Sequence, residues 1–143
     1  MPSSGPNSPS TVVNDASIGV VAWINTANVT VSDDARATAV LDNLGSDPSN
    51  YIKATNFGFT LPGAIIINGI VVEWEKSKTL LATDPNDNAV RIVKAGSIGA
   101  TDKSIADSWP GPASEAYITH GSSSDLWGET WTPAQINESD FGC

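Results

Sequence analysis

A chain of 143 residues suffices for one domain with its own core, and an apolar share of 40% excludes a disordered acidic tail. Sixteen acidic against seven basic residues leave a net charge of −9 with no basic stripe, which excludes direct nucleic-acid binding and favours solubility at high local density. The single cysteine, Cys143, excludes an internal disulfide, and no apolar run approaches the roughly eighteen residues of a membrane span, so membrane insertion is not expected.

The N-terminal "MPSSGPNSPSTVVND" has neither the basic start nor the apolar middle of a signal peptide, while the Ser/Thr/Asn/Gly-rich, Lys-poor composition is that of an exposed surface. Together these features point to a particle assembled in the host cytoplasm and exposed after lysis. Residues 1–11, almost without apolar anchors, are expected to form an arm, either flexible or lying on a partner. Residues 12–143 are expected to form a single domain.

Strand signals follow. "IGVVAWI" (Ile18–Ile24) is a β-branched run ended by Asn25, and "ARATAVL" (Ala35–Leu41) alternates small and polar positions. "YIKATNFGF" (Tyr51–Phe59) runs into the turn at Pro62-Gly63. In "NGIVVEWEKSKTL" the residues Ile70, Val72, Trp74 and Lys76 share one side and Val71, Glu73 and Glu75 the other, which predicts a strand packed on one face and wet on the other. "TDPNDN" (Thr83–Asn88) is dense in turn formers and predicts a hairpin between that strand and "AVRIVKAG" (Ala89–Gly96). Residues 97–114 read as a loop around Trp109, and "EAYITHG" (Glu115–Gly121) as a further strand. Short strands at turn-separated spacing, with no sustained helical period, predict an all-β fold: an antiparallel β-sandwich of jelly-roll type.

The last segment, "DLWGETWTPAQINESDFG", predicts a strand kinked at Gly128, then a short helical turn near 133–137. Thr132 is its N-cap, Pro133 its first residue, and Gln135 completes a capping box. Asn137 is expected to end the turn in the left-handed conformation, and Phe141 to open a strand at a sheet edge. Trp127, Trp131, Thr132, Pro133 and Phe141 are thus read as a structural joint.

Over nearly its whole length the chain resembles a β-sandwich module of tailed-bacteriophage virion proteins, of decoration or tail/fibre type, and of some bacterial surface proteins. The residues carrying the resemblance are Trp23 and Asn25, Asp34 with "ARATA" to Ala39, "FGF" at Phe57–Phe59, Pro62, and "INGIVVE" at Ile67–Glu73. They continue with "VRIVKAGSIG" at Val90–Gly99, "DLWG" at Asp125–Gly128, "WTPAQIN" at Trp131–Asn137 and "FG" at Phe141–Gly142. The resemblance implies a structural or adhesive module and brings no catalytic residues. Such modules usually continue past "FG" with a strand, a polar turn and a final strand. Their absence here raises two expectations: final strands cut away, or a sheet edge filled by another chain.

Other constellations weigh less. His120, the only histidine, lies near Ser122–Ser124 and Asp125, but a catalytic triad is a matter of spatial geometry rather than adjacency. Asp84, Asn86 and Asn88 begin like a calcium loop, but Ala89 stands where the glycine belongs and Ala95 where the bidentate glutamate belongs, so no metal or cofactor is expected. Glu73 and Glu75, about 7 Å apart on one strand face, read as a solvated face rather than a glycosidase pair. The sequons at Asn28 and Asn137 lack a secretory context. Trp23 and Trp74 are expected in the core, whereas Trp109, between Ser108 and Pro110, is the best candidate for an exposed aromatic and a candidate partner contact. The leading expectation is a non-enzymatic virion module that acts by homo-oligomeric assembly with other virion subunits. The runner-up is a carbohydrate-binding adhesion module that contacts a host glycan through Trp109 with Asp84, Asn86 and Asn88.

Overall fold

The computed structural model describes residues 3–41, 47–79 and 84–143. Met1 and Pro2 of the expected arm, Leu80 at the end of the clearest strand pattern, and Thr83 of the expected turn lie outside the described residues. Regular structure is almost entirely antiparallel strand: β1 (Thr11–Asp15), β2 (Tyr51–Thr55), β3 (Ile70–Lys76), β4 (Val93–Lys94), β5 (Ser97–Ile98) and β6 (Ala116–Ser122). Among the described residues a 3-10 turn (Thr26–Thr30) and one short helix, α1 (Pro133–Asn137), complete it, consistent with an all-β fold. No helix among the described residues is long and apolar enough to cross a membrane. The chain divides into two compact units, one of Met1–Ile66, Val93–Ile98 and Thr132–Cys143, the other of Ile67–Ile92 and Gly99–Trp131.

In the first unit β1 pairs with β2, Val13 opposite Lys53, and Lys53 closes a 3.0 Å ion pair on Asp15. The β-branched "TVV" of β1 is a strand signal that the arm-like composition before it obscured. Residues just upstream, expected as an arm, lie along their own chain: the Asn7 amide donates to the Phe57 carbonyl at 2.8 Å and the Ser10 hydroxyl to the Asn56 carbonyl at 2.6 Å. β4 folds onto β5 through Ala95 and Gly96, both left-handed (φ 49° and 74°), the pair that a two-residue hairpin turn requires. This tight local turn takes Val93–Ile98 out of the hairpin expected between 70–76 and 89–96.

The chain end corrects a second expectation. Phe141, expected to open a strand at a sheet edge, leads instead into Gly142 and Cys143, which are paired on both sides. Gly142 exchanges backbone hydrogen bonds with Val93 on one side (2.7 and 3.1 Å), while Cys143 exchanges them with Ala54 on the other (2.7 and 2.9 Å). A Cβ at position 142 would fall 1.9 Å from the Ala54 carbonyl oxygen, so only glycine allows β2 this close. Beside it Phe141 is buried, its ring 6.3 Å from that of Phe57 and 6.1 Å from that of Phe59. Two expected strands are absent. Ile18–Ile24 and Ala35–Leu41 contribute only isolated bridges, Val21 with Ser49 and Ile24 with Thr38. Trp23, expected in the core, is half-buried, with its indole N–H on the Asn50 carbonyl at 2.8 Å.

In the second unit β3 pairs with β6, from Ile70 opposite Ser122 to Lys76 opposite Ala116. The expected alternation holds: Val72 and Lys76 are buried and Val71, Glu73 and Glu75 exposed, although Trp74 is only half-buried. The partner differs from the expected one because β6 offers matching inward side chains, with His120 opposite Val72 and Ile118 opposite Trp74. The expected strand at 125–131 is instead a turn, since Trp127 and Gly128 are both left-handed (φ 58° and 71°), a conformation no strand accommodates.

Candidate functional site

The inward face of the β3–β6 ladder carries two ionisable side chains where apolar ones are usual. Lys76 is 7% exposed and His120 only 2%. Burial of an ammonium demands a partner, and the loop after β3 supplies Asp87, whose Oδ1 lies 2.6 Å from Lys76 Nζ. The carboxylate also accepts the Trp109 indole N–H on Oδ1 at 2.9 Å and the Ile105 backbone N–H on Oδ2 at 3.2 Å. Lys76 Nζ donates in addition to His120 Nε2 at 3.1 Å and stands 5.4 Å from the centroid of the Trp109 ring. Since Nε2 accepts, His120 Nδ1 carries the proton and donates to the Lys103 carbonyl at 2.9 Å.

The electrostatics follow from this geometry. Burial pushes the Asp87 carboxyl up, but hydrogen bonds from Lys76, Trp109 and Ile105 outweigh it and hold the group below the ordinary carboxylate range. Burial lowers His120, and the adjacent Lys76 ammonium lowers it further, against the opposing Lys103 carbonyl, Asp87 and Asp102. His120 is therefore a neutral imidazole between a cation and a carboxylate, its Nε2 also 3.7 Å from Asp87 Oδ2.

Of the sequence-predicted contact residues, Trp109 touches this cluster through Asp87, whereas Asp84 and Asn86 bond to the adjoining segment 106–108. Asp84 receives Lys78 Nζ at 2.6 Å and the Ser108 hydroxyl at 3.1 Å, the Trp109 N–H reaches the Pro85 carbonyl at 2.8 Å, and the Asn86 amide reaches the Ala106 carbonyl at 3.4 Å. Asn88 is exposed. Lys76, Asp87, Ile105, Asp107, Ser108 and Trp109 help to line a cleft of about 260 Å³. Trp109, expected as an exposed aromatic, is half-buried, held through its indole nitrogen by Asp87.

The deeper members, Lys76, Asp87 and His120, were not singled out as a site by sequence reasoning. The signal available was the parity of Lys76: a lysine in the fourth inward position of a strand implies a buried carboxylate nearby. No triad forms around His120, since its Nδ1 is engaged by the Lys103 carbonyl and its Nε2 by Lys76, while Ser122, Ser123 and Ser124 are exposed. Glu73 and Glu75 face solvent on the other side of β3.

The tryptophans of the last segment point inward. Trp127 is 1% exposed and donates its indole N–H to the Ile70 carbonyl at 2.9 Å; Trp131 is buried and donates to the Leu126 carbonyl at 3.0 Å. Thr132 and Gln135 close the expected capping box, each side chain accepting the other's backbone N–H (3.3 and 3.0 Å), with Pro133 buried at the first helical position. Asn137 does not end the helix in the left-handed conformation. It is the last helical residue, and its amide makes two hydrogen bonds to the Leu61 backbone, at 2.7 and 3.0 Å.

The first unit presents a different surface. Along residues 20–24 exposure alternates: Val20, Ala22 and Ile24 are exposed and Val21 and Trp23 half-buried, with Val20 at 71% and Ile24 at 56%. Ile24 pairs with Thr38, and two residues further on Val40 is 81% exposed. Among the described residues no group of three or more His, Cys, Asp and Glu could hold a metal ion. In comparisons with known proteins, no family model, curated protein or solved structure matched this chain.

Proposed function

We propose that the chain is a non-enzymatic structural module of a tailed-bacteriophage virion, a capsid decoration or tail/fibre domain of jelly-roll sandwich type, that works by homo-oligomeric assembly. The observation that carries the reading is the outward-facing aliphatic side chains of Val20, Ile24 and Val40, among other exposed aliphatic residues, in a chain with sixteen acidic residues against seven basic ones. Apolar side chains at the centre of a contact, ringed by charge that keeps particles apart, are what an assembling subunit needs. The sequence resemblance to virion modules adds the setting. Sedimentation of the purified chain should show a discrete oligomer, and Ile24→Glu with Val40→Glu should dissociate it without loss of β structure. Particles purified from lysates of the producing cells should carry the chain in fixed proportion. A parent chain that stays monomeric at high concentration would overturn the assembly reading.

The cleft beside Trp109 favours a second reading, carbohydrate binding. Its lining includes Trp109, Asp107 and Ser108 around a space of about 260 Å³, the scale of a single sugar ring. Glycan-array binding abolished by Trp109→Ala would support it. An array with no signal above background for the parent would dismiss it.

A further inference from the structure

We propose that Lys76 and Asp87 condense within the folded protein to an intramolecular isopeptide bond between Lys76 Nζ and Asp87 Cγ. The two side chains are 6% and 4% exposed and meet at 2.6 Å, so the reacting groups are already desolvated and in contact. Reactants held this way gain an effective concentration far above anything available in solution, and water is largely excluded from the back reaction. The alternative, a buried ion pair, keeps two charges in a poorly solvated place; the amide has none.

The surrounding groups occupy the positions that acyl transfer requires. His120 Nε2 is 3.1 Å from the lysine nitrogen and 3.7 Å from Asp87 Oδ2, so one neutral imidazole bridges nucleophile and leaving oxygen. The Trp109 indole N–H, 2.9 Å from Oδ1, sits where negative charge develops on the oxygen that becomes the amide carbonyl. The Ile105 N–H, 3.2 Å from Oδ2, fixes which oxygen faces the histidine.

In the step, His120 Nε2 takes a proton from the Lys76 ammonium and passes it to Oδ2, and the freed amine then attacks Cγ of the neutral carboxylic acid. A second proton from the former ammonium reaches the same oxygen by the same route as the C–Oδ2 bond breaks. One C–N bond forms, one C–O bond breaks, one water leaves, and His120 ends neutral as it began. No oxidant, metal or cofactor enters the balance.

Intact-mass spectrometry of the denatured full-length chain tests this. The expected mass is that of the sequence less one water, and proteolysis should yield a branched product joining the peptides of Lys76 and Asp87. Asp87→Asn should expel ammonia instead, and therefore converge on the same final mass as the parent; Asp87→Ala should retain its full sequence mass. His120→Gln should slow the mass loss in freshly folded protein severalfold or more, an effect that a purely structural histidine would not have. A parent chain of full sequence mass, with the Lys76 and Asp87 peptides released separately, would overturn the proposal. So would a loss of water that maps to Asp87 without linkage to Lys76.

Discussion

Replacing Trp127 by alanine removes a large side chain of the second unit that is only 1% exposed, together with the indole N–H that serves the Ile70 carbonyl at 2.9 Å. Large-to-small changes of buried Trp or Phe cost about 3–5 kcal/mol. The Ile70 carbonyl, at the start of β3 and stripped of that donor, adds roughly 1–3 kcal/mol. The left-handed backbone at 127 (φ 58°) is as strained for alanine as for tryptophan, so no relief offsets the loss. A total of about 4–8 kcal/mol rivals the 5–15 kcal/mol that holds a typical domain together. Trp127→Ala should therefore populate unfolded chains without denaturant, whereas Trp127→Phe, which keeps most of the ring and loses the N–H, should cost about 1–3 kcal/mol. Urea titration followed by far-UV circular dichroism, with linear extrapolation, measures both without relying on the tryptophan signal. An alanine variant with the parent's midpoint would refute the inward placement of this indole and reopen it as a ligand contact.

The half-buried Trp74 should respond less, Trp74→Ala falling below Trp127→Ala in the same titration; equal losses would contradict their different burial. Thr132→Ala removes the side-chain half of the capping box and should cost about 1 kcal/mol, read as a lower urea midpoint with oligomeric state unchanged. Added calcium or a chelator should leave the melting temperature where it was, since the 84–95 segment lacks the glycine and glutamate of a calcium loop. Because His120 is depressed in the folded state, its neutral form contributes stability that is complete above the unfolded value near pH 6.5 and declines as pH falls below it. The melting temperature should thus drop between about pH 7 and 5 in the parent and stay flat over that window in His120→Gln. Asp15, held near 2 by Ser17 and Lys53, acts only at much lower pH and does not mask the effect.

What the sequence revealed and what it hid divide along local and non-local lines. The alternation of Ile70, Val72, Trp74 and Lys76 and the capping signals of Thr132, Pro133 and Gln135 are written within one strand or one turn; the structure carries the capping as read and the alternation with Ile70 and Trp74 only half-buried. Strand partnership is not local. The nearest strand-like segment, 89–96, looked like the partner of β3, but the Ala95-Gly96 turn folds Val93–Lys94 onto Ser97–Ile98 and leaves β3 to Ala116–Ser122. Trp127 was read into a strand because nothing in "DLWG" announces two successive left-handed residues; the Asp125 carboxylate that accepts the Trp127 N–H at 2.8 Å helps to hold that turn. For the site the loss was similar. Lys76 could be placed on the packed face, but its convergence with Asp87 and His120 depends on a loop and a second strand whose paths the sequence does not specify.

The two units depart from the ordinary partition of polar and apolar residues in opposite senses. In the first, Val20, Ile24 and Val40 face outward; in the second, Lys76, Asp87 and His120 face inward. Neither helps the isolated chain. Exposed aliphatics gain nothing from water, and an ion pair in the interior is seldom more stable than packed hydrophobic residues of the same volume. Local violations of folding rules concentrate where a protein does something besides fold. Contact with another subunit would turn the first departure into buried area, and condensation would turn the second into an uncharged covalent link. The two explanations are separable, because substitutions at Ile24 and Val40 leave the Lys76–Asp87 geometry untouched and Asp87→Ala leaves the aliphatic set in place. An oligomer of full sequence mass would keep the assembly and remove the cross-link; a monomer lacking one water would do the reverse.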